Sequence, residues 1–214
     1  MKPTNVKLLK GLSAAALLAG ANLAMAETVT VPATVTVNNA INFTFTGTLD
    51  FGQVRAKASP TAATCVGLQL PASAGAATLI TPAGTVAAYN TACTTKTDTT
   101  NGLSLQAVGG TPARPVFTIA GVAPFTTLQL ALPSAAEDLT ASTGPGTAQF
   151  QLVDFTAFKT SGTPGGVTTT ISTDATGGAT FNVGATLITD PSGPTTSNYQ
   201  DLAYTGDFDV SVTY

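Results

Sequence analysis

Short runs of alternating hydrophobic and polar residues occupy most of the chain. In the first run, at 28–37, valine or alanine fills every second position, and threonine or proline fills the positions between. The hydrophobic phase consists of Val29, Val31, Ala33, Val35 and Val37. Further runs lie at 41–45, 48–54, 66–70, 103–107, 115–119, 125–132, 150–155, 180–187 and 208–214. A period of two residues is typical of a β-strand with one buried face, so the pattern predicts about nine or ten short strands.

Turn residues separate these runs, and after the first 26 residues no segment keeps a helical period. Asn101-Gly102 is a pair that favours a hairpin turn. The stretch 161–178 is rich in glycine and threonine and predicts an exposed loop or an irregular hairpin, and we also place Glu137-Asp138 in a loop. Short, mostly antiparallel strands with regular turn signals predict an all-β fold, either a sandwich or a barrel.

The first 26 residues have the pattern of a bacterial secretory signal peptide. Three lysines precede an apolar run at 11–23, and a small-x-small cleavage motif ends at Ala26. The apolar run is shorter than the roughly 20 residues of a membrane-spanning helix. We therefore expect a signal peptide at 1–26 and one mature domain at 27–214 without a transmembrane helix. The protein would then reside in the periplasm, on the cell surface or outside the cell.

Composition and charge exclude one class of partner. Charged residues make up only 9% of the chain, and threonine occurs 41 times. Removal of the first 26 residues takes away three lysines and leaves 5 basic against 11 acidic residues, a net charge near −6. Because an acidic surface repels phosphate backbones, nucleic acid is not expected as a partner.

The chain has two cysteines, Cys65 and Cys93. An even pair in an exported protein predicts a disulfide. The alternative interpretation is a metal or redox role for the pair. It is disfavoured because the chain has no histidine and no second ligand cluster lies nearby in the sequence.

The residue types needed for common catalytic sites are largely missing. Without histidine, neither a Ser-His nor a Cys-His nucleophile pair can form. A carboxylate pair such as Glu137-Asp138 remains conceivable for glycoside chemistry. We predict a protein without enzymatic activity and propose no catalytic, cofactor-binding or metal-binding residue.

The acidic residues near the end of the sequence have two possible interpretations. Asp201, Asp207 and Asp209 would hold calcium only if oxygen ligands converged from several loops. However, Asp207 and Asp209 share one phase of the last run with Ser211 and Thr213. The simpler prediction is that this phase forms the solvated face of the final strand.

Three segments carry a resemblance to a known family. They are LDFGQV at 49–54, FTIAGVAPFTTLQLALPS at 117–134, and the pair FNVGATLI at 181–188 and YTGDFDVSVTY at 204–214. Together they resemble the bacterial exported family called domain of unknown function 4402. The resemblance spans nearly all of 28–214, with an alanine at Ala185 where the family pattern has a second glycine. It implies a single immunoglobulin-like β-sandwich at the cell surface or in the periplasm, without naming an activity.

More distantly, the chain is similar to chaperone–usher pilin subunits. These are small exported sandwiches, often with one disulfide, that have an alternating N-terminal extension and an alternating last strand. In such polymers the extension of one subunit completes the sandwich of the next, pairing with its edges while alternate side chains fill pockets. The hydrophobic phase of 28–37 suits that role, and Pro32 is compatible with an edge or an added strand.

The first run is equally well explained as the first strand of the chain's own sandwich. If it is instead a donor strand, the acceptor groove is expected to be lined partly by the last strand, at Phe208, Val210, Val212 and Tyr214. The same last strand also resembles the end of an outer-membrane barrel, although the chain lacks the tryptophan expected in aromatic girdles.

These patterns lead to one favoured function and two alternatives. The favoured function is a fimbria- or pilus-like surface subunit that supports adhesion or biofilm and assembles by its N-terminal donor strand. Its partners would be copies of itself or a periplasmic chaperone and usher. The alternatives are a monomeric periplasmic or surface binding module with a self-complete sandwich, and a small outer-membrane β-barrel.

Overall fold

The structure is a computed structural model. It describes residues 30–36, 40–57, 59–73, 75–79, 93, 104–141, 148–192 and 199–214. Residues 38–214 form one compact unit, and the residues up to Val37 belong to a separate unit that is described by itself below.

The described residues confirm the all-β prediction, with strands and no helix. The strands are β1 (Asn42–Thr46), β2 (Gln53–Lys57), β3 (Gly67–Leu70), β4 (Ser104–Gly109), β5 (Val116–Ala120), β6 (Thr127–Ala131), β7 (Glu137–Ala141), β8 (Phe150–Lys159), β9 (Gly165–Val167), β10 (Thr170–Ser172), β11 (Ala179–Thr189), β12 (Tyr204–Thr205) and β13 (Ser211–Thr213). No helix in this part of the chain is long and apolar enough to cross a membrane.

The strands form two sheets and a separate ribbon, and all pairings are antiparallel. The large sheet has the order β1-β5-β11-β8-β7-β12, with β3 added to β11 and β9 added to β8. The small sheet has the order β10-β6-β13, and β2 and β4 form a two-stranded ribbon. Both sheets contribute buried side chains to one core, so they pack together as a sandwich.

The main core lies between the two sheets and follows directly from the alternation. Phe117 and Phe181 enter it from the large sheet, and Leu128 and Leu130 enter it from the small sheet. The rings of Phe117 and Phe181 stack with centroids 5.1 Å apart. A second core, which includes Phe150, lies beneath the ribbon and the β7–β8 region.

Strand β11 is the centre of the large sheet. It pairs with β8 along one side, and along the other it pairs first with β5 and then with β3. Gly184 lies where the end of β3 crosses β11, next to a register shift between Gly184 and Thr186. The second half of β11 is buried on both faces, which explains its nearly continuous apolar sequence.

The disulfide prediction is confirmed. Cys65 and Cys93 are bonded, with their Cα atoms 5.9 Å apart and both side chains fully buried. They form a small third core with Val153 of β8 and Ile188 of β11. The bond therefore ties the segment before β3 and the residue Cys93 to the central strands.

Two segments predicted as a loop or an irregular hairpin contain strands. The stretch 161–178 contains β9 and β10, which pair with different sheets and so carry the chain from one layer of the sandwich to the other. Ile171 of β10 is 2% exposed, and its burial stabilises a strand in a segment of low apolar content. Glu137 and Asp138 belong to β7, whose Leu139 contributes to the second core.

Several strand boundaries also differ from the predicted ones. In the run at 48–54, the part before Gln53 makes an isolated bridge at Asp50, and the strand itself begins at Gln53. Only Ser211–Thr213 of the last run is in a strand. In both runs the hydrophobic side chains still face a core, because side-chain packing extends beyond the hydrogen-bonded ladder. The predicted hairpin turn at Asn101-Gly102 lies outside the described residues.

Candidate assembly surface

The described part of the first alternating run is exposed and outside any strand. All of 30–36 is exposed, and the exposed fraction is 77% for Val31 and 86% for Val35. Ala33 lies between them in the same phase and is also exposed. Val29 and Val37, the outer members of the predicted donor strand, lie outside the described residues. Valine and threonine favour β-strands, and the valines of this segment are exposed. Such a segment is suited to pair with the exposed edge strand of a sheet.

The predicted groove strand lies at an edge of the small sheet. Within the described residues β13 pairs with β6 alone, at Ser211, Val212 and Thr213. Phe208, Val210 and Val212 are half-buried and pack against the main core.

The aromatic residues of the last run differ in environment. The ring of Phe208 lies 5.0 Å from that of Phe155, measured between centroids. Tyr214, which we also assigned to the groove, is 56% exposed. Asp207, Asp209, Ser211 and Thr213 are all exposed, as the phase of the run predicts.

Strand β1 forms an edge of the large sheet and borders the same core. Among the described strands it pairs only with β5, where Phe43 lies opposite Ile119 and Phe45 lies opposite Phe117. Residues directly opposite each other in an antiparallel pair share a face of the sheet, so Phe45 points to the core side. Nevertheless Phe45 is 66% exposed, whereas Phe117 is 6% exposed.

The main core is therefore shielded from solvent at the inner strands β5 and β11 and exposed to solvent at the edge strand β1. Across one row of the large sheet, Phe45, Phe117 and Phe181 lie side by side on β1, β5 and β11. Burial rises from the edge strand inwards, and Phe181 is fully buried. The half-buried side chains of β1 and of the last run belong to this one cluster. An added strand over this edge would cover apolar surface that the described residues leave in water.

The sequence does not show that β1 is an edge strand. The alternation at 41–45 predicts a strand, but it does not distinguish an inner strand from an edge strand. The exposure of Phe45 therefore does not follow from the sequence. A pair of phenylalanines in one phase, as at Phe43 and Phe45, is the only signal in the sequence, and it fits a buried strand equally well.

Two titratable side chains, Asp174 and Tyr199, make hydrogen bonds that support the fold. The Asp174 carboxylate accepts hydrogen bonds from the Thr176 hydroxyl at 2.6 Å and from the backbone nitrogens of Thr176 and Gly178, and these bonds hold its pKa below the usual value. Burial raises the pKa of the Tyr199 phenol, whose oxygen donates to the Gln149 carbonyl.

The acidic residues weighed as catalytic or calcium-binding are not gathered into a site. Asp138 accepts a hydrogen bond from the Gln151 side chain at 2.9 Å. In the described part of the chain, no group of three or more cysteine, histidine or acidic side chains is arranged to hold a metal ion, and this includes Asp201, Asp207 and Asp209.

The geometry defines a class of protein: an all-β sandwich with an exposed alternating segment and a partly open core edge. No family model, no curated protein and no solved structure matches the chain.

Proposed function

We propose that this chain is an exported, non-enzymatic structural subunit of a fimbria-like surface fibre that supports adhesion or biofilm. The segment 28–37 of one copy acts as a donor strand and completes the sandwich of the next copy. The observation that carries the proposal is the exposure of Val31 and Val35 in an alternating segment outside any strand. A signal peptide at 1–26 would deliver the subunit to the site of assembly.

The acceptor surface of this proposal is the open edge of the main core. The donor strand would pair either with the outer edge of β1, where it would cover Phe45, or with the outer edge of β13, where it would cover Val210 and Val212; neither outer edge pairs with another described strand. Complete burial of one valine side chain is worth roughly 1.5–3 kcal/mol, so two valines supply several kcal/mol before the cost of ordering the segment. Main-chain hydrogen bonds to an edge strand add to this and fix the register.

The test of the donor strand uses two matched double substitutions. Val31→Asp with Val35→Asp places charges in the hydrophobic phase, and Thr30→Asp with Thr34→Asp adds the same charge in the opposite phase. We expect the first variant to lose all polymer bands on an unboiled denaturing gel, because a carboxylate in an apolar groove is strongly disfavoured. The second variant should keep them.

Equal loss or equal retention of polymer in the two variants would argue against an inward-facing valine phase. Deletion of residues 27–38 then separates the fibre subunit from the self-complete binding module. For a donor strand, the deleted protein keeps the thermal stability of the isolated monomer and binds a synthetic 28–37 peptide. For a strand of its own sandwich, the deletion lowers the melting temperature of the monomer.

A further inference from the structure

One face of the β2–β4 ribbon is polar and carries two positively charged side chains. Arg55 and Lys57 are exposed on the same face of β2, opposite Gln106 and Ser104 of β4. The other face of the ribbon, which includes Leu105, packs on the second core. The ribbon therefore presents two cations on a pair of hydrogen-bonded strands outside both sheets.

The two remaining described cations are engaged elsewhere. The Arg114 guanidinium donates to the carbonyl oxygens of Pro71, Ser73 and Gly75, and the Lys159 ammonium donates to the carbonyl of Ser172. Within the described residues, the side chains of Arg55 and Lys57 form no hydrogen bond or ion pair. In a chain with so few basic residues, this is a local positive patch on an acidic protein.

A negative strip lies on a different element. Asp201, Asp207 and Asp209 are exposed around β12, which pairs with β7. The backbone at Gly206 lies directly against the carbonyl of Asp138, so the exposed carboxylate of Asp138 belongs to the same strip. Asp138 and Asp207 therefore lie on neighbouring segments, and Asp201 and Asp209 flank this point along the chain without forming a close cluster.

We infer that the positive ribbon of one copy contacts the acidic strip of a second copy. The two patches are complementary in charge, whereas two copies that approach with their strips facing would repel, since the mature chain has a net charge near −6. A contact between two different patches is heterologous and propagates in one direction. This inference deepens the proposed fibre and rests on it: the electrostatic contact brings each incoming copy to the copy that exchanges a donor strand with it.

The test measures the rate at which refolded mature monomer forms boiling-sensitive polymer. One variant carries Arg55→Glu with Lys57→Glu, a second carries Asp207→Lys with Asp209→Lys, and a third carries all four changes and keeps the net charge of the natural chain. At about 20 mM salt, where charges act over tens of ångströms, we expect each of the first two variants alone to polymerise roughly tenfold more slowly. A mixture of the two, and the third variant alone, should return to the natural rate.

Salt provides the second readout. At about 500 mM salt all variants should polymerise at the same rate, because salt screens the attraction between the two charged patches. Equal rates for all variants at low salt, with normal polymer in every sample, would overturn the electrostatic contact and leave the donor strand intact. Slow variants that neither mixing nor the fourfold exchange restores would also overturn it. Absence of polymer from the natural chain itself would instead contradict the proposed fibre.

Discussion

Replacement of Gly184 by alanine is expected to lower the free energy of unfolding by roughly 2–4 kcal/mol. An alanine Cβ at this position would overlap the carbonyl oxygen of Leu70 and lie 2.6 Å from the backbone nitrogen of Ala72. Both atoms belong to the backbone, one at Leu70, the last residue of β3, and the other two residues beyond it, so relief of the overlap would disturb the pairing of Leu70 with Ala185. Denaturant unfolding monitored by circular dichroism measures the loss.

Gly166 supplies the matched control for this substitution. It also lies in a strand of the large sheet, but nothing comes within 4 Å of a Cβ added there. Gly166→Ala should therefore change the stability by no more than about 0.5 kcal/mol. Similar stabilities for the two variants would show that β3 does not cross β11 at Gly184 as described.

Removal of the disulfide is expected to cost roughly 3–4 kcal/mol, measured on the double variant Cys65→Ala with Cys93→Ala. The bond closes a loop between residues 28 positions apart, and a cross-link of that span restricts the unfolded chain by about this amount. The loss of two buried sulfur atoms from the cluster with Val153 and Ile188 adds to the effect.

Reductant provides the control for the disulfide variant. It should destabilise the natural protein to a similar degree and leave the double variant unchanged. A loss below about 1 kcal/mol in both experiments would mean that the cross-link does not constrain the sandwich, in disagreement with its burial beside β8 and β11.

Local alternation correctly predicted the strands that bury one face and expose the other. Phe117 and Ile119 in β5, and Leu128 and Leu130 in β6, each place one phase in the core, and the sequence shows this directly. The same reasoning failed for β7, where Glu137 and Asp138 suggested a loop. There the strand is stabilised by pairing with β8, a partner distant in sequence.

The candidate assembly surface could be predicted only in part. The hydrophobic phase of 28–37 could be predicted because it depends only on the local alternation of residues. The exposure of Phe45 could not be predicted, since it depends on which strands pair with β1 in the folded protein. Whether a strand is inner or at an edge is a property of long-range pairing, and a run of five alternating residues carries no information about it.

The measurement that tests the donor-strand proposal most directly is a non-reducing denaturing gel of the mature protein sheared from cells, run with and without boiling. If 28–37 of each copy completes the next, the unboiled sample shows a ladder at multiples of the monomer mass, and boiling collapses it to the monomer. This follows because strand exchange is noncovalent but kinetically stable. A single monomer band in both lanes would contradict the proposal and favour a self-complete binding module.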